Sequence, residues 1–220
     1  DAGAKAIAGS DPLTGLTELN LNYNLIKGPG AIELTRSKKL RQLHKVQLAY
    51  NPIEKSGKRA WKRFQLMEWF KDLHRNNRLN QVGEGLIGDF GVMVLLDFPF
   101  VSELETLDLK NNGLTDEAVI ALSQSKRLNS LVSLNLSQNN ITDAGAQALG
   151  RSQNLKRLKT LNLNFNRIGD EGARAIAESP RLANLESLKL GQNKIGTEGA
   201  RALNESENLK NLIHPIFGFY

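Results

Sequence analysis

Apolar residues recur along the chain in one phrase, Leu-x-x-Leu-x-Leu-x-x-Asn-x-Ile, which is usually followed by a run rich in Gly, Ala and Leu. The Asn of this phrase falls at positions 24, 51, 112, 139, 166 and 193, so the usual period is 27. The one longer gap, of 61, divides into 34 and 27 if Gly85 takes the place of a missing Asn. A fixed period of this size predicts a solenoid of stacked repeats.

Each repeat combines a strand pattern with a helix pattern. In Leu161-Asn162-Leu163 apolar and polar residues alternate, which predicts a short strand with its leucines directed inward. The Ala-rich run 172–177 follows two acidic residues, which favour a helix N-terminus because the helix dipole is positive there. The predicted fold class is therefore α/β, a leucine-rich horseshoe solenoid with parallel strands on the concave face and helices on the convex face.

The recurrent Asn is predicted to be structural. A buried loop leaves backbone N–H and C=O groups without partners in a sheet, and an amide side chain can donate to and accept from such groups. A stack of Asn side chains can therefore bridge adjacent turns of the solenoid, while leucines such as Leu136, Leu163 and Leu190 form its core.

We expect positions 1–220 to form a single domain of about eight repeats that share this period, with one repeat expanded to 34 between Asn51 and Gly85. The first four residues match 143–146 in register. The chain therefore starts in the middle of a repeat, and we expect further sequence upstream.

The net charge of +6 comes from one part of the chain. Residues 38–78 hold 12 Lys/Arg against 3 Asp/Glu, whereas the remainder holds 17 against 20. The basic balance is thus a local feature and not the general positive charge expected of a nucleic-acid-binding domain. The chain has no Cys, which excludes disulfides and thiolate metal sites.

The strand-plus-helix repeat with its Asn and its Gly-Ala-x-Ala-Leu/Ile helix resembles the ribonuclease-inhibitor-like class of leucine-rich repeat proteins. It is most similar to the bacterial variety with Gly-Ala-x-x-Leu-Ala-type helices, as in GALA-type effectors. The resemblance covers residues 1–211 apart from 52–84. It implies a leucine-rich repeat domain that binds another protein on its concave face, without a cofactor.

The candidate concave-face site consists of the outward strand positions and the positions at the strand ends. Tyr23, Tyr50 and Phe165 are the strongest candidates there, because aromatic residues are enriched among binding hot spots. The alternative is a solvated strand face that is kept polar for solubility. The predicted residues are Asn20, Asn22, Tyr23, Gln47, Tyr50, Asp108, Lys110, Asn135, Asn162, Asn164, Phe165 and Lys189.

Seven extra residues, 68–74, interrupt the regular period. Two apolar stripes lie on opposite sides of the helix predicted here, one through Trp61 and Phe64 and the other through Trp69 and Phe70. One straight helix cannot bury both against the same core, so either it bends after Met67 or the second stripe faces something else. This insertion is either a partner-binding protrusion or a packing repair beside a weak strand. The predicted binding residues are Trp69, Phe70, Lys62, Arg63 and Arg75.

No catalytic or metal-binding constellation is visible. The three histidines, His44, His74 and His214, lie in different repeats, and no paired-carboxylate or phosphate-binding motif is present. We predict no enzyme activity, no metal and no cofactor.

The predicted function is that of a bacterial protein-interaction scaffold, such as the repeat region of an effector. The first alternative is a GTPase-activating or ubiquitin-ligase-recruiting protein, for which Arg167 is the one suggestive arginine. The second is a nucleic-acid-associated protein that uses the basic segment 38–78. We expect a protein partner, no membrane association, and a monomer or a weak dimer through the apolar C-terminal edge. The localisation is open between the cytoplasm and secretion into a host cell.

Overall fold

The computed structural model describes residues 1–80, 82 and 86–213. Gly85 and residues 214–220 of the predicted apolar C-terminal edge, which runs over 212–220, lie outside these residues. The contacts divide the chain into two compact units, Asp1–Asp72 (unit 1) and Leu73–Tyr220 (unit 2). The prediction of a single domain stays a prediction.

Unit 1 alternates short strands with helices. Its elements are α1 (Ala2–Ala8), β1 (Glu18–Asn20), α2 (Gly28–Thr35), β2 (Lys45–Gln47) and most of α3 (Lys55–Arg75). The strands β1 and β2 pair in parallel, with Leu19 opposite Val46. Their inward side chains join a core built on Leu34, Leu43 and Leu48, against which Trp61 and Phe64 of α3 pack.

Unit 2 continues the same alternation. Its elements are α4 (Gly88–Leu96), β3 (Thr106–Asp108), α5 (Asp116–Gln124), β4 (Ser133–Asn135), α6 (Asp143–Arg151), β5 (Thr160–Asn162), α7 (Asp170–Ala177), β6 (Ser187–Lys189) and α8 (Thr197–Asn204). Short 3₁₀ turns at Pro99–Glu103, Lys126–Leu128 and Pro180–Leu182 precede three of the strands. The strands form a four-stranded parallel sheet in the order β3-β4-β5-β6.

The strand register reproduces the sequence period. Leu107, Leu134, Leu161 and Leu188 lie opposite one another in successive pairs, one period apart in the chain at each step. All four side chains are buried, so one inward leucine per strand forms the core. The predicted α/β repeat solenoid of parallel strands alternating with helices is confirmed. Between β2 and β3 the described residues contain no strand, although the Asp108 N–H still donates to the Asn80 carbonyl at 2.8 Å.

The Asn ladder is structural, as the sequence predicts. In unit 2 the Asn139 Oδ1 accepts from the N–H groups of Asn112 (3.1 Å) and Leu114 (3.0 Å). Its Nδ2 donates to the carbonyls of Leu109 and Leu136, at 3.0 and 2.9 Å. Equivalent bonds are made by Asn51 in unit 1 and by Asn166 and Asn193 in unit 2. Each amide thus satisfies backbone groups in two repeats at once.

The acidic residue at the start of a helix caps the following helix as well as lying at the positive end of its own. The Asp143 Oδ1 accepts from the N–H groups of Gly169 (2.6 Å) and Gly172 (2.9 Å), at the start of α7. Asp170 makes the same pair of bonds to α8, through Gly196 and Gly199. The sequence indicated the helix N-terminus, whereas the bond to the next repeat requires the stacked structure.

The seven extra residues lengthen α3. This helix runs without interruption for 21 residues, against 7 to 9 in the other helices. Phe70 and Leu73, on the second apolar stripe, are both buried. The insertion is therefore added helix, and two of its apolar side chains are used in packing.

Candidate protein-binding surface

Several polar side chains of the strand face accept hydrogen bonds from backbone groups just beyond the strand ends. Asn20 and Asn162 each accept, through Oδ1, the N–H of the residue two positions further on, at 3.0 Å. Asn135 accepts both the N–H and the hydroxyl of Ser137, at 3.1 and 2.8 Å. These are local turns that fix the chain where it leaves the strand. The amide oxygens of these three residues are thus engaged within the fold itself.

A neighbouring column of positions, three residues beyond the last residue of each strand, has left-handed backbone geometry. Non-glycine residues with φ of +54° to +58° occupy it in six repeats, where the sequence pattern gave no sign of a backbone constraint. A left-handed conformation costs a non-glycine residue roughly 1–2 kcal/mol, least for Asn. Bulky aromatic residues are therefore unexpected here. The residues are Tyr23, Tyr50, Asn111, Gln138, Phe165 and Gln192.

In unit 1 this column carries a stacked aromatic pair. The rings of Tyr23 and Tyr50 are 4.3 Å apart and inclined by 8°. Each residue keeps about three quarters of its surface exposed, 75% for Tyr23 and 74% for Tyr50. Beside Tyr23 in the sequence, Leu25 is 84% exposed, so the apolar surface extends beyond the two rings.

The other strand-face predictions are distributed over the two units. Gln47 and Asn22 are half-buried in unit 1, and the Asn22 Oδ1 accepts from the Ala49 N–H at 2.8 Å. In unit 2, Asp108 and Asn164 are half-buried, with the Asp108 Oδ1 bound to the Lys110 N–H at 2.9 Å. Of the strand-face residues predicted in unit 2, Lys110, Phe165 and Lys189 are exposed.

An ion pair crosses the outer side of the unit 1 strands. The Lys45 Nζ lies 2.9 Å from the Glu18 Oε2, and both side chains are more than half exposed. The hydrogen bond and the charge of Lys45 lower the pKa of Glu18. Because the pair is exposed, it adds little to stability and offers a polar border to the strand face.

The insertion residues do not form one exposed surface. Phe70 is fully buried, which corrects its prediction as a partner-contacting side chain, since the packed structure already uses it. Trp69 is half-buried with its ring centroid 5.3 Å from that of Phe70. Lys62 is exposed and Arg63 half-buried in unit 1, while Arg75 is exposed in unit 2.

The groups considered for chemistry are dispersed. The His44 Nδ1 lies 3.3 Å from the Gln42 carbonyl, whereas the His74 ring stacks on Phe100 at 3.6 Å. Over residues 1–80, 82 and 86–213 no group of three His, Asp or Glu side chains is placed to hold a metal ion. Arg167 is exposed in unit 2. None of the helices in the described part of the chain is both long and apolar enough to span a bilayer.

Comparison with known proteins identifies the class. The family described as Leucine Rich repeat matches residues 14–34, 103–123, 127–150, 154–177 and 181–203, which is just over half of the chain. The chain therefore belongs to the leucine-rich repeat family. Proteins of this family are typically non-enzymatic scaffolds that bind other proteins. The finer resemblance to ribonuclease-inhibitor-like and GALA-type repeats stays a prediction.

Two solved structures from Listeria monocytogenes strain 4b F2365 are similar to the chain. An internalin, inlF, has 23% identity over 94% of this chain and 48% of its own, with a TM-score of 0.38. An internalin C2, inlC2, has 17% identity over 97% of this chain and 90% of its own, with a TM-score of 0.33. The chain thus spans about half the length of the first. No curated protein matches the chain.

Proposed function

We propose that this leucine-rich repeat protein is a non-enzymatic interaction module whose partner protein docks on the strand face of unit 1. The contact is centred on the aromatic rim, defined as Tyr23, Leu25 and Tyr50. The observation that carries the proposal is the exposed, stacked pair Tyr23–Tyr50 at left-handed backbone positions.

The aromatic rim has two energetically unfavourable features that folding alone does not explain. Large apolar surface is left in water, and two aromatic residues occupy a backbone conformation that Asn tolerates better. Stacking offsets part of this, about 0.5–1.5 kcal/mol for an aromatic pair. A partner that covers both rings would remove this apolar surface from water and so gain binding free energy in proportion to the area buried. Tyrosine suits such a site because it offers a rigid apolar ring and a hydroxyl that forms hydrogen bonds.

The test replaces both tyrosines with the residue that unit 2 has at the equivalent position. Asn111 shows that Asn adopts this backbone conformation, with φ +54°. Tyr23→Asn/Tyr50→Asn should therefore fold normally and lose partner recovery by about tenfold or more, as expected for removal of two hot-spot residues. Affinity capture from an extract of the source organism, with the wild type and the variant immobilised at equal density, measures the ratio of partner recovered by the two.

Matched control variants separate the rim from other surfaces. Gln138→Asn/Gln192→Asn changes the same backbone position in unit 2 and should leave recovery unchanged. Trp69→Ala probes the half-buried insertion residue. Recovery that falls with Trp69→Ala but survives loss of both tyrosines would contradict the rim proposal and favour the insertion as the binding site.

The more specific functions stay predictions from the sequence. They are a bacterial source, an effector activity, GTPase activation through Arg167 or recruitment of a ubiquitin ligase, and nucleic-acid binding by segment 38–78.

A further inference from the structure

A cavity of about 340 Å³ opens in unit 1 between the end of α2 and the middle of α3. Its walls come from the segment 35–43, which precedes β2, and from α3 residues 60–71. The aromatic rim, in contrast, follows the strands β1 and β2 in the chain. The cavity is therefore a separate feature, which we call the arginine cavity.

Most charged side chains that line the arginine cavity are cationic. Arg36, Arg41, Arg63 and Lys71 line it together with one carboxylate, Glu68. That carboxylate is already paired, because the Lys71 Nζ lies 2.6 Å from the Glu68 Oε1. Arg41 donates through Nε to the Lys38 carbonyl at 3.1 Å, which leaves its two terminal nitrogens for other acceptors. Within the described part of the chain, neither Arg36 nor Arg41 has an acidic partner.

The floor of the cavity is apolar. Leu40, Leu43 and Ala60 are buried there, and Phe64 and Met67 are half-buried, so that their remaining surface faces the opening. A thioether and an aromatic ring adapt to apolar side chains of varied shape. Burying an apolar group on this floor gains free energy in proportion to the area removed from water.

The hydroxyl groups in the cavity wall are used internally. Thr35 Oγ1 donates to the Ala31 carbonyl at 2.9 Å. The Ser37 hydroxyl donates to the Ala8 carbonyl and accepts from the N–H groups of Lys39 and Leu40, both at 3.1 Å. The wall therefore presents cations and apolar surface but few neutral groups that could read the edge of a nucleobase.

We propose that the arginine cavity is a second binding site, for an acidic peptide segment that carries an apolar side chain. The carboxylates of the segment pair with Arg36 and Arg41, whose planar guanidinium groups match the geometry of a carboxylate. The apolar side chain enters over Phe64 and Met67. The volume of about 340 Å³ is sufficient for one side chain and the backbone beside it, since small binding sites begin at about 300 Å³.

The experiment measures binding of a fluorescein-labelled peptide of alternating Asp and Leu to the full chain by fluorescence anisotropy. The wild type should bind it saturably. Arg36→Gln/Arg41→Gln should weaken binding by about tenfold or more, through loss of the charge-assisted hydrogen bonds. Tyr23→Asn/Tyr50→Asn should bind the peptide unchanged, so the two sites succeed or fail independently.

Three comparisons define the ligand class. Lys5→Gln/Lys58→Gln removes the same charge from exposed positions outside the cavity and should leave the affinity within about twofold, as expected for screened surface charges. A peptide of Asp and Ser, and another of Asn and Leu, should each bind at least about tenfold more weakly, since one lacks the apolar group and the other the charge.

Several outcomes would overturn the proposal. These are an absence of saturable binding, equal binding of the Asp–Ser peptide, or an equal loss in the lysine control. Tighter binding of oligothymidylate that depends on the same arginines would assign the cavity to single-stranded nucleic acid instead.

Discussion

Single amides and glycines set the distance between one repeat and the next. In unit 2 the side chains of Asn112, Asn139 and Asn166 are polar groups inside an apolar stack, and they are tolerated because both the oxygen and the nitrogen of each amide bond to the backbone. Their position was predictable from the sequence, since the period marks them and only an amide both donates and accepts in this way. The left-handed backbone beside them was not, because Tyr, Phe and Gln carry no preference for it.

Removal of one Asn side chain from the ladder should lower the stability of the fold. Asn139→Ala deletes the acceptor of two N–H groups and the donor to the Leu109 and Leu136 carbonyls, all in a buried setting. We expect a loss of about 3 kcal/mol in the free energy of unfolding, because buried groups left without partners cost about 1–3 kcal/mol. Urea unfolding measures it. Asn140→Ala, at the half-buried neighbouring position, is the control and should change stability by less than about 0.5 kcal/mol.

Two glycines in helices should respond to alanine in opposite directions. A Cβ on Gly172 would lie 2.6 Å from the Asp143 Oδ1 and 2.7 Å from the Ile168 Cγ2, so Gly172→Ala should destabilise by about 2 kcal/mol through overpacking. Gly3 of α1 has nothing within 4 Å of such an atom. Gly3→Ala should stabilise by up to about 1 kcal/mol through helix propensity. Thermal unfolding of both variants tests the pair, and destabilisation by Gly3→Ala would contradict this explanation.

At the scale of the elements, helices receive their N-terminal caps from neighbouring repeats. In unit 1 the start of α2 is capped from both sides, since Asp1 accepts from Lys27 and Gly30 while Glu54 accepts from Gly28. A carboxylate is favoured there by the exposed N–H groups and by the helix dipole. Because α2 has only eight residues, it is too short to be stable alone in water. It therefore depends on the caps that the neighbouring repeats supply.

The Glu54 cap should make stability depend on pH. The backbone hydrogen bond from Gly28 lowers the pKa of Glu54 below its ordinary value of 4.5. A lowered pKa in the folded protein means that the stabilisation is complete above pH 4.5 and is lost as the pH falls through the folded-state pKa. The wild type should therefore unfold at a higher temperature than Glu54→Gln at neutral pH, and the difference should shrink on acidification. A difference that stays constant into acid would contradict this assignment.

The long helix shows where sequence reasoning ends. The extra seven residues and their two apolar stripes were visible from the period, so the expansion itself was predictable. Whether Phe70 contacts a partner or the protein's own interior was not, because a helical wheel gives the direction of a side chain but not what lies there. Burial of Phe70 answers this for the folded chain. In the aromatic rim, Tyr23 and Tyr50 were predicted as contact residues from residue type alone. Their stacking and the exposure of Leu25, which was not among the predicted residues, became visible only in the structure.

Over the whole molecule, the two units differ in charge. Residues 1–72 hold 13 Lys/Arg and 7 Asp/Glu, whereas residues 73–220 hold 16 of each, so the entire net charge of +6 belongs to unit 1. The excess is concentrated on α3, where Lys55, Lys58, Arg59 and Lys62 are all exposed on one helical face. Like charges at this spacing destabilise a helix by roughly 0.2–0.5 kcal/mol per pair. A surface of this kind favours an anionic partner, in agreement with the arginine cavity on the same unit.

Salt should therefore stabilise the two units unequally. Raising the salt concentration from about 0.01 M to about 1 M shortens the Debye length from about 30 Å to about 3 Å and screens the repulsion along α3. Hydrogen exchange of the intact chain should show slower exchange for the first half of α3 and little change for α7, where Glu171 and Arg174 pair at 2.8 Å. Lys58→Gln/Lys62→Gln should remove most of the salt response of α3. An equal response of α3 and α7 would indicate a general effect of salt on folding and would contradict repulsion within unit 1 as its cause.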